Sequence, residues 1–190
     1  MDKENQNLLL KLARESIIEN LSAKPSLTLE MLDKTKPQQL LTREGAFVTL
    51  KRRAKDTDGT YPLRGCIGNV LGNDPLYLTV YKLAKESAFG DPRFKSVTLK
   101  EMDEIRIEIS VLSKPVAIEN HQQIVLGRDG VILTSGVQRS LFLPQVATEQ
   151  GWTLSQLLQN LAMKAGLHPS AWDRSGCRLE VFQAKVFEEQ

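Results

Sequence analysis

Read for its alternation of apolar and polar positions, the chain opens as a helix. Leu9, Leu10, Ala13, Ile17 and Leu21 recur at helical spacing, which predicts an amphipathic helix over 5–24 stopped by Lys24-Pro25. Residues 25–44 hold two prolines and mixed polarity, which predicts a short helix and an extended connection. "GAFVTLKRR" (45–53) then reads as a strand, "DTDG" (56–59) as a turn and "TYPLRGCIG" (60–68) as the returning hairpin arm. The next helix takes Asn73 or Asp74 as its cap and Pro75 as its first residue. Tyr77, Val80, Tyr81, Ala84 and Ala88 form its buried stripe, and Gly90 ends it. Thr98 to Glu101 is a capping box over one helical turn. In "IRIEISVL", Ile105, Ile107, Ile109 and Val111 alternate with Arg106, Glu108 and Ser110, the pattern of a strand with one wet face.

"IVLGRDGVILTS" (124–135) predicts a second hairpin turning at Gly127 to Gly130, and "VQRSLFLP" (137–144) extends the sheet. A capping box from Thr153 to Gln156 opens a helix that closes near Gly166, and His168-Pro169 begins a further turn. "CRLEVFQAKVFEE" (177–189) ends the chain as one alternating strand. Hairpin-linked strands flanked by helices predict an α+β fold with a mainly antiparallel sheet. There is no repeat, low-complexity tract or evident linker, so residues 1–190 read as one domain with room for a smaller sub-lobe.

Composition narrows the function classes. With 41% hydrophobic and 25% charged residues the chain is an ordinary globular sequence. A net charge of +2 supplies no field toward nucleic acid or anionic membrane. The start, "MDKENQNLLLKLARE", does not resemble a signal peptide, and no apolar run approaches the ~18 residues of a membrane span. Two cysteines do not make a disulfide scaffold, and a soluble cytoplasmic protein is the expectation.

Candidate chemistry concentrates at "LRGCIG" (63–68). In an extended segment Leu63, Gly65 and Ile67 face one way and Arg64, Cys66 and Gly68 the other, which pairs guanidinium and thiol on the open face. A guanidinium beside a thiol favours the thiolate, so Cys66 reads as a nucleophile or redox thiol with Arg64 lowering its pKa. Gly65 and Gly68 admit a second backbone or a ligand and can offer N–H donors to an anion. The competing reading is packing, a buried cysteine beside glycines that mark a bulge. No base is tied to Cys66, since His121 lies in a loop and His168 at a helix start, and no metal set or cofactor is expected.

"ESAFGDPRF" (86–94) is the second candidate. Asp91 and Arg93 can bind a polar ligand or each other, while Phe94 anchors the loop. "KRRAK" (51–55) reads as a solvated strand end, because Asp56 and Asp58 follow it. In "LFLPQVATEQGW" (141–152) Pro144 ends a strand, Gln145 and Glu149 could face a cleft, and Trp152 is a packing staple.

"GAFVTL", "LRGCIG", "DPRF", "ISVL", "GRDGVIL", "LFLPQVATEQGW" and "KAGL" occur here in the order typical of the AMMECR family, called protein A of the AmmeMemoRadiSam system in bacteria and archaea. The chain resembles that family from about residue 8 to its end, and "LRGCIG" is the family signature. The resemblance implies an α+β protein of two unequal lobes with the signature near the cleft between them. It also implies a Memo-like protein and a radical S-adenosylmethionine protein as company, and it points to a functional role for Leu63, Arg64, Gly65, Cys66, Ile67 and Gly68. It names no reaction, and two readings stay open: an enzyme or enzyme subunit using Cys66, with Asp91 and Arg93 lining the cleft, or a binding module for a partner, peptide or small ligand.

Overall fold

The computed structural model describes residues 1–21, 24–30, 37–53 and 61–190. The chain forms two compact units, Met1–Val111 with Lys185–Gln190, and Leu112–Ala184. The first holds helices α1 (Lys3–Asn20) and α2 (Leu76–Phe89) and strands β1 (Gly45–Arg52), β2 (Leu63–Asn69), β3 (Ile105–Leu112) and β8 (Ala184–Glu188), in sheet order β2-β1-β3-β8. The second holds β4 (Val116–Ile118), β5 (Gly130–Ser135), β6 (Gln138–Phe142) and β7 (Cys177–Phe182), in order β4-β7-β5-β6. Its helices are α3 (Pro144–Glu149) and α4 (Leu154–Lys164). This is an α+β fold with two antiparallel sheets.

In the first unit the helical stripes close on one sheet face. Leu9, Leu12 and Ile17 of α1, Val80 and Leu83 of α2, Val48 and Leu50 of β1 and Ile107 and Ile109 of β3 are buried together. Each such side chain contributes roughly 1.5–3 kcal/mol by leaving water. Helix α1 begins at Lys3, earlier than its periodicity suggests, because the Asp2 carboxylate accepts the Asn5 N–H at 2.9 Å. It stops at Asn20, short of Lys24-Pro25. Helix α2 lacks the expected side-chain cap: Pro75 is the N-cap itself and the Leu76 N–H goes to the Thr42 carbonyl at 2.8 Å. A distant loop thus satisfies a donor that Asn73 or Asp74 was expected to serve. The capping box at Thr98–Glu101 forms as expected over a 3₁₀ turn.

In the second unit β5 packs Val131 and Leu133 on Leu157, Leu158 and Leu161 of α4, whose Thr153–Gln156 capping box is present. Three sequence expectations change here. The hairpin turns at Gly136, with a φ of +58°, between the paired Ser135 and Gln138. Residues 124–126 form no strand, so the expected turn at Gly127 to Gly130 is a loop leading into β5. Pro144 opens α3 at its first helical position instead of only ending a strand. The C-terminal alternation is two strands, since β7 serves the second sheet and β8 the first, with Gln183 between them. The expected turn at 56–59 lies outside the described residues.

Candidate functional site

The site forms at β2, an edge strand of the first sheet. The antiparallel register pairs Val48 with Ile67 and Thr49 with Cys66, then slips: Leu50 opposes Gly65 and Lys51 opposes Leu63. Arg64 is the extra residue of a β-bulge, where alternation of sides breaks down. Its guanidinium turns to Glu101, with Nε donating to Oε1 at 3.0 Å, while Nη2 donates to the Ser96 carbonyl at 3.4 Å. Glu101 also receives Arg52 Nη1 at 3.0 Å and the Thr98 N–H at 2.9 Å. Burial pushes the Glu101 carboxyl up, but Arg64 and Thr98 outweigh it and hold the group below its ordinary value. The expected pairing of Arg64 with the thiol is therefore corrected, because the bulge re-aims the arginine.

Cys66 meets other partners. Its Sγ lies 3.3 Å from the Thr49 hydroxyl of β1, where either atom can donate. Its main chain is gripped by the loop after α2. The Cys66 N–H donates to Asp91 Oδ2 at 2.8 Å, and the Cys66 carbonyl accepts Arg93 Nη2 at 3.2 Å. Arg93 also forks onto Asp91, with Nε to Oδ1 at 2.9 Å and Nη2 to Oδ2 at 2.7 Å. The Asp91 side chain is 2% exposed and that of Arg93 54%, so one end of the pair is sealed and the other meets solvent. The Arg93 fork, against the cost of burial and with the Cys66 N–H, holds the Asp91 carboxyl far below the usual carboxylate range.

"LRGCIG" and "DPRF" are thus two halves of one construction. Asp91-Pro92-Arg93 fills the outward N–H and C=O of Cys66, a dyad that an unprotected edge strand would offer to another chain. The Phe94 ring centroid lies 5.9 Å from the Arg64 guanidinium carbon and 5.5 Å from that of Arg93, so one half-buried aromatic ring serves both cations.

The glycines answer to packing. A Cβ at Gly65 would stand 2.2 Å from the Ser87 carbonyl oxygen, because the end of α2 rests on the strand. One at Gly68 would stand 2.2 Å from the ring of Phe47, its cross-strand partner. The buried Ser87 hydroxyl completes the seam, accepting the Ile67 N–H at 3.0 Å and donating to the Val48 carbonyl at 2.8 Å. Of the roles weighed for the glycines, admission of a second backbone is the one whose partner is visible.

Burial pushes the Cys66 thiol up, the Thr49 hydroxyl and Arg93 pull it down, and the nearby carboxylates Asp91 and Glu108 push it up again; the net shift is upward. The expectation of a lowered pKa is corrected, and the cation that acts on the sulfur is Arg93 in place of Arg64. Gln145 and Glu149 belong to the second unit, on α3, where the Gln145 carbonyl accepts the Thr148 hydroxyl at 2.7 Å and Glu149 is exposed. Both histidines are in that unit too: His121 opens a 3₁₀ turn and His168 bonds Ser170. Trp152 packs edge-on to Phe142 at 5.4 Å, the staple expected of it. Lys51 pairs with Glu108 at 2.6 Å and Arg52 with Glu104 at 2.7 Å, so these two cations of "KRRAK" are paired within their own unit; Arg53 is exposed, and residues 54–55 lie outside the description. Among the described residues no group of three or more His, Cys, Asp or Glu is placed to hold a metal ion, and no helix is long and apolar enough to cross a membrane.

Thr49 and Ser87 were missed by sequence reading. Ser87 left a trace, a polar residue in the buried stripe of α2 beside Ala84 and Ala88. Thr49 left none, since its closeness to the thiol depends on strand register.

The family model described as AMMECR1 matches residues 10–187. Among curated relatives, Protein MK0488 of Methanopyrus kandleri is 37% identical over 194 residues, covering 98% of this chain and 89% of the relative. Protein MJ0810 of Methanocaldococcus jannaschii is 39% identical over 183 residues, covering 92% and 85%. The crystal structure of uncharacterized protein PH0010 from Pyrococcus horikoshii superposes with a TM-score of 0.87 at 38% identity, covering 100% of this chain and 94% of that one.

Proposed function

Because this chain belongs to the AMMECR1 family, whose members' names state no activity, we propose that it is a binding module docking a partner protein through the β2 edge and the Asp91–Phe94 loop. The observation that carries this reading is the clamp on Cys66. Asp91 and the Nε and Nη2 donors of Arg93 are spent on each other and on the main chain of the cysteine, while the thiol is pushed up by burial and so held in its unreactive form at neutral pH. What the construction presents outward is a half-exposed guanidinium over an aromatic ring, and arginine is enriched among the anchors of protein interfaces. The partner takes an acidic or carbonyl-bearing loop to Arg93 and an apolar side chain to Phe94. The family resemblance suggests a Memo-like protein as that partner, with a radical S-adenosylmethionine protein as the next, and the cytoplasm as the place.

The enzyme reading keeps one observation in its favour, an incompletely buried sulfur beside a hydroxyl and an arginine. Interferometry with a purified Memo-like protein separates the two, with unfolding curves taken in parallel. Phe94→Ala is expected to weaken binding about tenfold and Cys66→Ser less than about threefold. Loss of a measured turnover on Cys66→Ser, with partner binding unchanged by Phe94→Ala, would favour thiol chemistry instead.

A further inference from the structure

The second unit contains a recess that the docking reading leaves unused. Gln159 of α4, His168, Pro169, Ser170, Trp172 and Arg174 enclose about 510 Å³, within the range of small-ligand sites. Trp172 is among the lining residues, and the His121 ring packs against that indole in a T-shaped contact at 5.0 Å and 71°. His168 Nδ1 accepts the Ser170 N–H at 3.3 Å and lies 2.8 Å from the Ser170 hydroxyl. An accepting Nδ1 puts the proton of the neutral ring on Nε2, which becomes a donor. The Arg174 guanidinium gives one long hydrogen bond, 3.4 Å to the Ser170 hydroxyl, and among the described residues joins no ion pair. Asp173 adds a carboxylate at the same recess, suited to a hydroxyl or amino group.

We infer that this recess binds a small planar anion, its ring stacked on Trp172 and its anionic group held by Arg174 and His168. Indole faces stack on any flat π system, and a planar guanidinium without a carboxylate partner matches a phosphate or carboxylate. A purine mononucleotide and an aromatic carboxylate share this chemistry. Asp173 favours the first, through a ribose hydroxyl.

Trp152 and Trp172 are the chain's two tryptophans, so Trp152→Phe in the full chain leaves Trp172 as the sole fluorescent indole. Adenosine monophosphate is expected to quench it saturably, with adenosine and inorganic phosphate each at least about tenfold weaker. Nicotinate binding more tightly than the nucleotide would assign the site to an aromatic carboxylate. Arg174→Ala, at an exposed position, is expected to weaken either ligand about tenfold while the far-ultraviolet spectrum stays unchanged. In the unaltered chain the Trp172 indole N–H resonance should shift with the same saturation curve. The inference is overturned if no probe saturates by about 10 mM, or if Arg174→Ala binds as the parent does.

Discussion

The two units contain the same small device and use it at different range. In the first, Asp91 takes a bidentate fork from Arg93 and the backbone N–H groups of Cys66 and Arg93; in the second, Asp129 takes a bidentate fork from Arg128 and the backbone N–H of Val125. Both aspartate side chains are 2% exposed and both arginines are more than half exposed. Neighbouring cations, against the cost of burial, hold both carboxyls below the ordinary value. The N–H that Asp129 receives comes from Val125, four residues away, so it closes its own loop. Of the two N–H groups that Asp91 receives, that of Arg93 is local and that of Cys66 comes from 25 residues away on an edge strand, and Arg93 reaches back to the carbonyl of Cys66. Asp129 is chiefly a turn lock, with the Gln183 side chain as a further donor. The other ties a loop to a strand, and that is why the first corner and not the second is assigned the docking role.

Removing each carboxylate sharpens the contrast most. Asp91→Ala leaves the Cys66 N–H and Arg93 without their acceptor, and is expected to cost about 2–4 kcal/mol in denaturant unfolding. Hydrogen exchange should rise at β2 and in the loop together. Asp129→Ala is expected to cost about 1–2 kcal/mol, with faster exchange confined to 124–130. Equal losses with local exchange in both variants would break the comparison.

The glycines beside the two corners come next. At Gly65 an added methyl meets a helix carbonyl 2.2 Å away, while at Gly130 it meets the Phe182 ring at 2.3 Å. A ring shifts more readily than a backbone that closes a helix. Gly65→Ala is expected to cost about 2–3 kcal/mol and Gly130→Ala about 1–2 kcal/mol, measured by thermal and denaturant unfolding.

The acid limb of the stability curve gives a smaller effect. A carboxyl depressed in the folded state stabilises the fold fully above its unfolded pKa, about 3.9 for aspartate, and that contribution fades as pH falls toward the folded value. The depression at Asp91 is the deeper of the two, so Asp91→Asn should flatten the decline below about pH 4 more than Asp129→Asn does. A stability profile between pH 2 and 7 for each variant reads this directly.

Much of this was legible before any coordinates. The helical stripes, both capping boxes, the alternating strand at 105–109 and the α+β class follow from local periodicity and cap chemistry, which operate within a few residues, whereas Ser110, expected on the wet face, is buried. "LRGCIG" and "DPRF" were both singled out, but not as partners, because the bond from Cys66 to Asp91 depends on where α2 lays its C-terminus. The side on which Arg64 projects was misjudged for a related reason. Alternation holds only while register holds, and the bulge between Leu50 and Lys51 depends on the partner strand. The split of the last segment at Gln183 was hidden because both halves alternate equally well. Nothing local distinguishes a strand that continues from one that changes sheets.

Asp91 and Arg93 serve the main chain of Cys66 and leave its sulfur an ordinary or weakened nucleophile. Alkylation of a Cys177→Ser chain against pH reads the Cys66 thiol alone, since these are the two cysteines. A midpoint above the free-cysteine value of about 8.5 and slow reaction at neutral pH are expected. A midpoint below about 7.5 with rapid alkylation would contradict this.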